Sequence, residues 1–304
     1  MSSTPPKQRH LYLVLDDWEE GYTIRKIDVE TFHVAGVDAM DDHPVVAALP
    51  DPPVIRVEAA EHGQQAATFF TSLGTKILAL PRSSSATGVP VFDTATLALT
   101  VAPHQSDALF RPTFFSVSGD RTYVLDGTIT AGELRRRFQV LRAPAPPGRK
   151  LWSWNTVPSP PPFNPTSIVC HALHPDARTV FFSVDGAGTF SFNTQRLEWT
   201  CHGAWLLPFT GQAHYDAHLD AWVGICGEPD GAGHVCSCAV VAAGRGRRTP
   251  APEWKIGAER LFCDDEKRHV GAALVYVGDS RFCLLECVKP KPKPAAGKTT
   301  TKKV

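Results

Sequence analysis

Thr179-Val180-Phe181-Phe182-Ser183-Val184, then Asp185-Gly186-Ala187-Gly188 and Thr189-Phe190-Ser191-Phe192-Asn193-Thr194, with Leu197 and Trp199 beyond, is the stretch that decides the fold. Its two runs are rich in β-branched and aromatic residues, and the glycines between them tolerate the positive φ of a tight hairpin turn. The same device stands a hundred residues earlier. There Thr75-Lys76-Ile77-Leu78-Ala79-Leu80 is followed by Val91-Phe92-Asp93-Thr94 and Leu97. Aromatic, Asp or Asn, Thr, and three residues later Leu, recurring after a strand, marks repeated antiparallel hairpins.

Six hairpins follow from the same pattern. Their first strands are expected at Leu11 to Asp17, Thr75 to Leu80, Arg121 to Asp126, Arg178 to Val184, Asp220 to Cys226 and Ala272 to Gly278. Their partners are Tyr22 to Val29, Val89 to Thr94, Arg137 to Ala143, Gly188 to Thr194, His234 to Val241 and Arg281 to Val288. A spacing of about 50 residues is that of kelch-like blades. Further strands are expected at Thr68 to Thr71, Thr113 to Ser116, Leu151 to Trp154, Ile168 to His171 and Glu253 to Ile256, which raises each unit toward four strands.

The fold class read from this pattern is all-β: a single kelch-like β-propeller of five or six four-stranded blades. Nothing stands behind Arg281 to Val288 to complete the last blade, so the N-terminal hairpin is expected to complete it and close the ring. The propeller is expected over residues 10–288, between a disordered start (1–9) and a disordered tail (289–304) in which Lys289-Pro290-Lys291-Pro292 begins a lysine- and proline-rich run. Pro50 to Pro53, Pro144 to Pro147 and Pro158 to Pro165 mark connections, because proline removes the backbone donor a central strand needs. His33 to Ala67 reads as a protruding insertion, and Ala131 to Phe138 as a turn or two of helix at most.

Composition excludes more than it assigns. Lys plus Arg equals Asp plus Glu at 31 each, so no global field draws the chain to nucleic acid or an anionic membrane. No apolar run is long enough to span a bilayer and the first ten residues do not form a secretory leader, so a cytoplasmic or nuclear monomer is expected. All eight cysteines, from Cys170 to Cys287, read as reduced thiols. Cys236 and Cys238 stand two apart on a strand, a spacing that suits packing better than a zinc knuckle.

Several blocks in order resemble one plant family, the domain of unknown function 1668. They include His10-Leu11-Tyr12-Leu13-Val14 with Asp16-Asp17-Trp18, His174-Pro175-Asp176, Gly188 to Thr194, His202 to Phe209, Leu219 to Gly224, Cys236-Ser237-Cys238 and Arg268 to Ala272. The likeness runs from about residue 9 to 288. It implies an intracellular, kelch-like propeller without an assigned reaction. Asn193 stands where the family more often has Asp, and either side chain can bond local backbone.

Catalytic signatures are missing: no Walker A loop, dinucleotide GxGxxG, HExxH or GxSxG occurs. No catalytic residue and no cofactor is nominated. His214, Asp216 and His218 alternate on a strand and could offer two imidazoles and a carboxylate to a metal, although polar alternation on a solvent face explains them as well. Trp152 and Trp205, flanked by prolines or turns, are candidate anchors for a partner. Arg245, Arg247 and Arg248 form a basic loop, and the tail carries six lysines after Val288. The leading expectation is a non-enzymatic module that binds a protein partner through rim loops. Small-ligand or metal binding at a central channel, possibly enzymatic, is one alternative, and weak nucleic-acid or nuclear association through the tail is another.

Overall fold

The computed structural model describes residues 9–17, 21–30, 49–58, 68–82, 88–130, 133–144, 151–244, 249–263 and 265–290. These residues form strands and two short 3-10 turns, with no α-helix among them. The first sheet joins β1 (His10–Asp16), β2 (Gly21–Asp28) and β3 (Ile55–Glu58). The second is the meander β4 (Thr68–Leu73), β5 (Lys76–Pro81), β6 (Val89–Asp93) and β7 (Leu99–Ala102). The third runs through β8 (Thr113–Ser118), β9 (Arg121–Thr130), β10 (Glu133–Arg142) and β11 (Ser153–Thr156).

Two further meanders fuse into one eight-stranded sheet. One contains β12 (Ile168–Leu173), β13 (Thr179–Val184), β14 (Gly188–Asn193) and β15 (Glu198–Gly203). The other contains β16 (Phe209–Asp216), β17 (Ala221–Cys226), β18 (His234–Ala239) and β19 (Trp254–Arg260). Their first strands join in parallel, His171 opposite Gln212 and Ala172 opposite Ala213. A final hairpin pairs β20 (His269–Gly278) with β21 (Arg281–Val288).

All six expected hairpins form, and so do the flanking strands expected beside them. Three expectations change. Among the described residues the N-terminal hairpin does not hydrogen-bond to β20–β21; it gains β3 from within the presumed insertion instead, and the last sheet keeps two strands. Residues 33–48 and 59–67 of that insertion lie outside the described residues. Ala131 to Phe138 is not a helical turn: from Glu133 onward it is strand, because the β9–β10 pairing continues out to Thr130 opposite Glu133. Of the proposed termini, residues 1–8 and 291–304 lie outside the described residues.

The packing explains why the second strands lack clean alternation. On β13, Val180 and Phe182 enter a core with Phe115, Tyr123 and Phe138 of the third sheet, while Phe181 enters another with Phe209, Trp222 and the thiols of Cys170, Cys226, Cys236 and Cys238. A strand buried on both faces reads as a continuous apolar run. β9 divides likewise, Val124 toward Leu78 and Leu80 and Leu125 toward Phe182. On β17, Trp222 faces one core, whereas Val223 and Ile225 meet Leu274 of β20 in the next. The third sheet and the two meanders of the fused sheet are thus each shared between a predecessor and a successor. The first sheet meets the second through Tyr22, whose ring lies 5.0 Å edge-on from Phe70 and whose hydroxyl accepts the Thr68 amide at 3.2 Å.

Candidate functional site

Succession of sheets brings the first strands of the units together. A cavity of ≈ 930 Å³ is lined by residues of β1 (His10 to Tyr12, Val14), β4 (Phe70 to Ser72), β16 (Gln212, His214) and β20 (Val275, Tyr276), with Lys26, Lys76 and Thr94 alongside. A smaller space of ≈ 510 Å³ has Phe70, Thr71, Ser72 and Gln212 in common with it and continues to Thr113 and Phe114 of β8 and to Cys170 and His171 of β12. Both volumes fall within the range of small-molecule sites.

The electrostatics of the larger cavity are one-sided. Arg9, Lys26 and Lys76 line it with His10 and His214, and among the described residues no aspartate or glutamate does. Lys76 Nζ lies 2.9 Å from Asp93 Oδ2, and this ammonium, with the Ala95 amide and the Thr75 hydroxyl, holds the Asp93 carboxyl down at about 2 against the cost of burial. Arg9 lies 3.6 Å from Asp28. Lys26 has no ion pair among the described residues.

His214 Nε2 bonds the Leu274 carbonyl of β20 at 2.8 Å, which places the proton on Nε2. Burial lowers the pKa of His214, and the Leu274 bond opposes it only in part. His171 is pushed down to about 4, chiefly by burial and further by His214. It is a neutral imidazole at neutral pH, and its buried Nε2 has no protein partner among the described residues.

The metal expectation gathered His214, Asp216 and His218, and the structure sends them to different tasks. β16 ends at Asp216, so His218 stands exposed in the following turn rather than on the same strand face. Asp216 Oδ1 accepts the amides of His218 and Leu219 at 2.9 and 3.0 Å and the Ser280 hydroxyl at 2.9 Å, closing that turn and tying it to the β20–β21 loop. Among the described residues no three His, Cys, Asp or Glu side chains converge as a metal set.

Trp152 and Trp205 are partly buried against the cores of neighbouring sheets, and the Trp205 indole donates to the Thr249 carbonyl at 2.7 Å. Arg245, Arg247 and Arg248 lie outside the described residues. All eight cysteines are free thiols. Burial raises Cys170 to about 11 and Cys238 to about 12, and raises Cys236 as well, so these groups pack as small apolar side chains.

The apolar surface the sequence did not single out is on β7, the last strand of its sheet, where Leu99 and Val101 are 68 and 67% exposed beside Leu97 of the preceding turn, itself 66% exposed. Arg9, Lys26, Tyr276 and Gln212 went equally unnoticed, since none belongs to a motif and only tertiary packing unites them. The one signal available was position, because most cavity residues belong to the opening strand of a unit.

These strands define an all-β protein of successive antiparallel sheets around shared cores. The chain belongs to the family described as protein of unknown function (DUF1668), whose model matches residues 8–304. No curated protein matches it. Among solved structures it is similar to a structural genomics protein of unknown function from Bacteroides thetaiotaomicron, with 14% identity, a TM-score of 0.35, and coverage of 60% of this chain and 40% of that one. It is also similar to TolB from Acinetobacter baumannii, with 10% identity, a TM-score of 0.38, and coverage of 90% and 64%. The chain thus spans less than two thirds of the length of either. No helix of the described residues is long and apolar enough to cross a membrane.

Proposed function

We propose that the chain is a kelch-like β-propeller acting as a non-enzymatic binding module, and that its ligand is received in the channel framed by the first strands of its sheets. The observation that carries this is the shared lining. Residues of β1, β4, β8, β12, β16 and β20 border two adjoining spaces that have Phe70, Thr71, Ser72 and Gln212 in common. A ring of sheets has this property, because its innermost strands face one axis. Function then sits in the side chains grafted onto that axis.

The test is a thermal-shift screen of small molecules against the natural chain and Gln212→Trp, which fills the shared space. Hits lost in the variant support the reading. Hits that all persist put binding elsewhere and overturn it.

A second reading has its own observation. The exposed Leu99 and Val101, on a strand edge that pairs with no further strand among the described residues, suit a protein that adds a strand to β7. Cross-linking in cell extract should join a specific protein to β7, and Leu99→Lys with Val101→Lys should abolish the cross-link. A cross-link indifferent to both changes would remove this reading.

A further inference from the structure

Resting on the channel reading, we infer that the ligand is a small organic anion: an aromatic or apolar body bearing a phosphate or carboxylate group. The sign follows from the lining, which among the described residues carries three permanent cations and no carboxylate. Each cation is compensated differently. Asp93 neutralises Lys76 at 2.9 Å and Asp28 stands 3.6 Å from Arg9, which leaves Lys26 as the charge without a counter-ion among the described residues. A lysine in a partly enclosed site favours an oxyanion as its partner.

The body of the ligand is specified by the remaining wall. Leu11, Tyr12, Phe70, Ile77, Val275 and Tyr276 give aromatic and aliphatic surface, so the site combines one fixed charge with apolar contact. Thr71, Ser72 and Gln212 supply neutral hydrogen-bonding side chains, whereas the Thr75 and Thr94 hydroxyls are already bonded to Asp93 and to the Thr75 carbonyl. In the adjoining space His171 belongs to the wall, its buried Nε2 without a hydrogen-bond partner among the described residues.

The experiment is isothermal titration of the full chain with 1-naphthyl phosphate, 1-naphthoate and the uncharged 1-naphthol. At least one anion should bind about tenfold more tightly than naphthol, and Lys26→Met should remove that advantage while Lys26→Arg retains most of it. Whichever anion binds more tightly identifies the oxyanion. Rising salt should weaken the anions and leave naphthol unchanged, a readout that survives if Lys26→Met fails to fold. Equal affinity for all three probes overturns the anionic inference but leaves the channel reading standing. Binding of none of them overturns both.

Discussion

Leu97 and Leu197 occupy the same step of two turns a hundred residues apart, and both have φ in the left-handed region, 59° and 56°. In each turn the Leu amide bonds the carbonyl of Asp93 or Asn193 at 2.8 Å, and that residue's side-chain oxygen accepts the amide two positions on. The threonine after it bonds the opposing strand through both amide and hydroxyl. The echo in sequence is therefore an echo in hydrogen bonds. Its register differs by one position from the naive alignment: Lys76 opposes Asp93, and Thr179, rather than Val180, opposes Asn193. The carboxylate thus faces an ammonium and the amide faces a hydroxyl, so Asp and Asn are each matched to a partner. Left-handed backbone costs a leucine roughly 1–2 kcal/mol, which exceeds the entropy a glycine loses on folding. Leu97 is exposed, so Leu97→Gly should stabilise the chain by about 0.5 kcal/mol in urea unfolding. Leu197 packs on a core, so Leu197→Gly should give no gain. Asp93→Ala should cost about 1–2 kcal/mol and Asp93→Asn less, since Asn193 caps the same turn.

Single strands carried the clearest signal in the sequence, and their partners carried the weakest. β13 and β14 are legible because both are buried and rich in aromatic or β-branched residues, whereas β7 shows three exposed residues of its four, and the alternation of Ile55 and Val57 with Arg56 and Glu58 on β3 is only four residues long. Outer strands are specified by the hydrogen bonds of their neighbours, which a local reading does not see. Tryptophans then tie one element to another: Trp154 donates to Pro103, Trp199 to Ser159 and Trp222 to Leu173, at 2.8, 3.0 and 2.8 Å. Trp222 is wholly buried between two meanders. Trp222→Ala should cost about 3–5 kcal/mol by urea unfolding, and Trp222→Phe a smaller amount that includes the loss of the Leu173 bond.

At the scale of the molecule, three buried histidines make stability depend on pH. His171, His202 and His214 all have pKa values lowered by burial, so the folded protein keeps them neutral where the unfolded chain would protonate them. The unfolded state binds more protons below its ordinary value of 6.5, so stability is complete above that pH and falls as pH drops toward about 4. Unfolding free energy should decline across this window by up to about 1.4 kcal/mol per pH unit for each proton taken up, and His171→Asn should flatten the slope. A slope unchanged by that substitution would show that His171 titrates normally. A central site was among the sequence expectations, but the residues that line the cavity were not legible, because Lys26, Phe70, Gln212 and Tyr276 meet only when distant sheets come together. The central claim is that β20 and β1 border one axis, and photo-cross-linking from benzoylphenylalanine in place of Tyr276 measures it. Adducts on Arg9 to Val14 and on Phe70 to Ile77 are predicted; adducts confined to β16 and to the β20–β21 hairpin would contradict the ring.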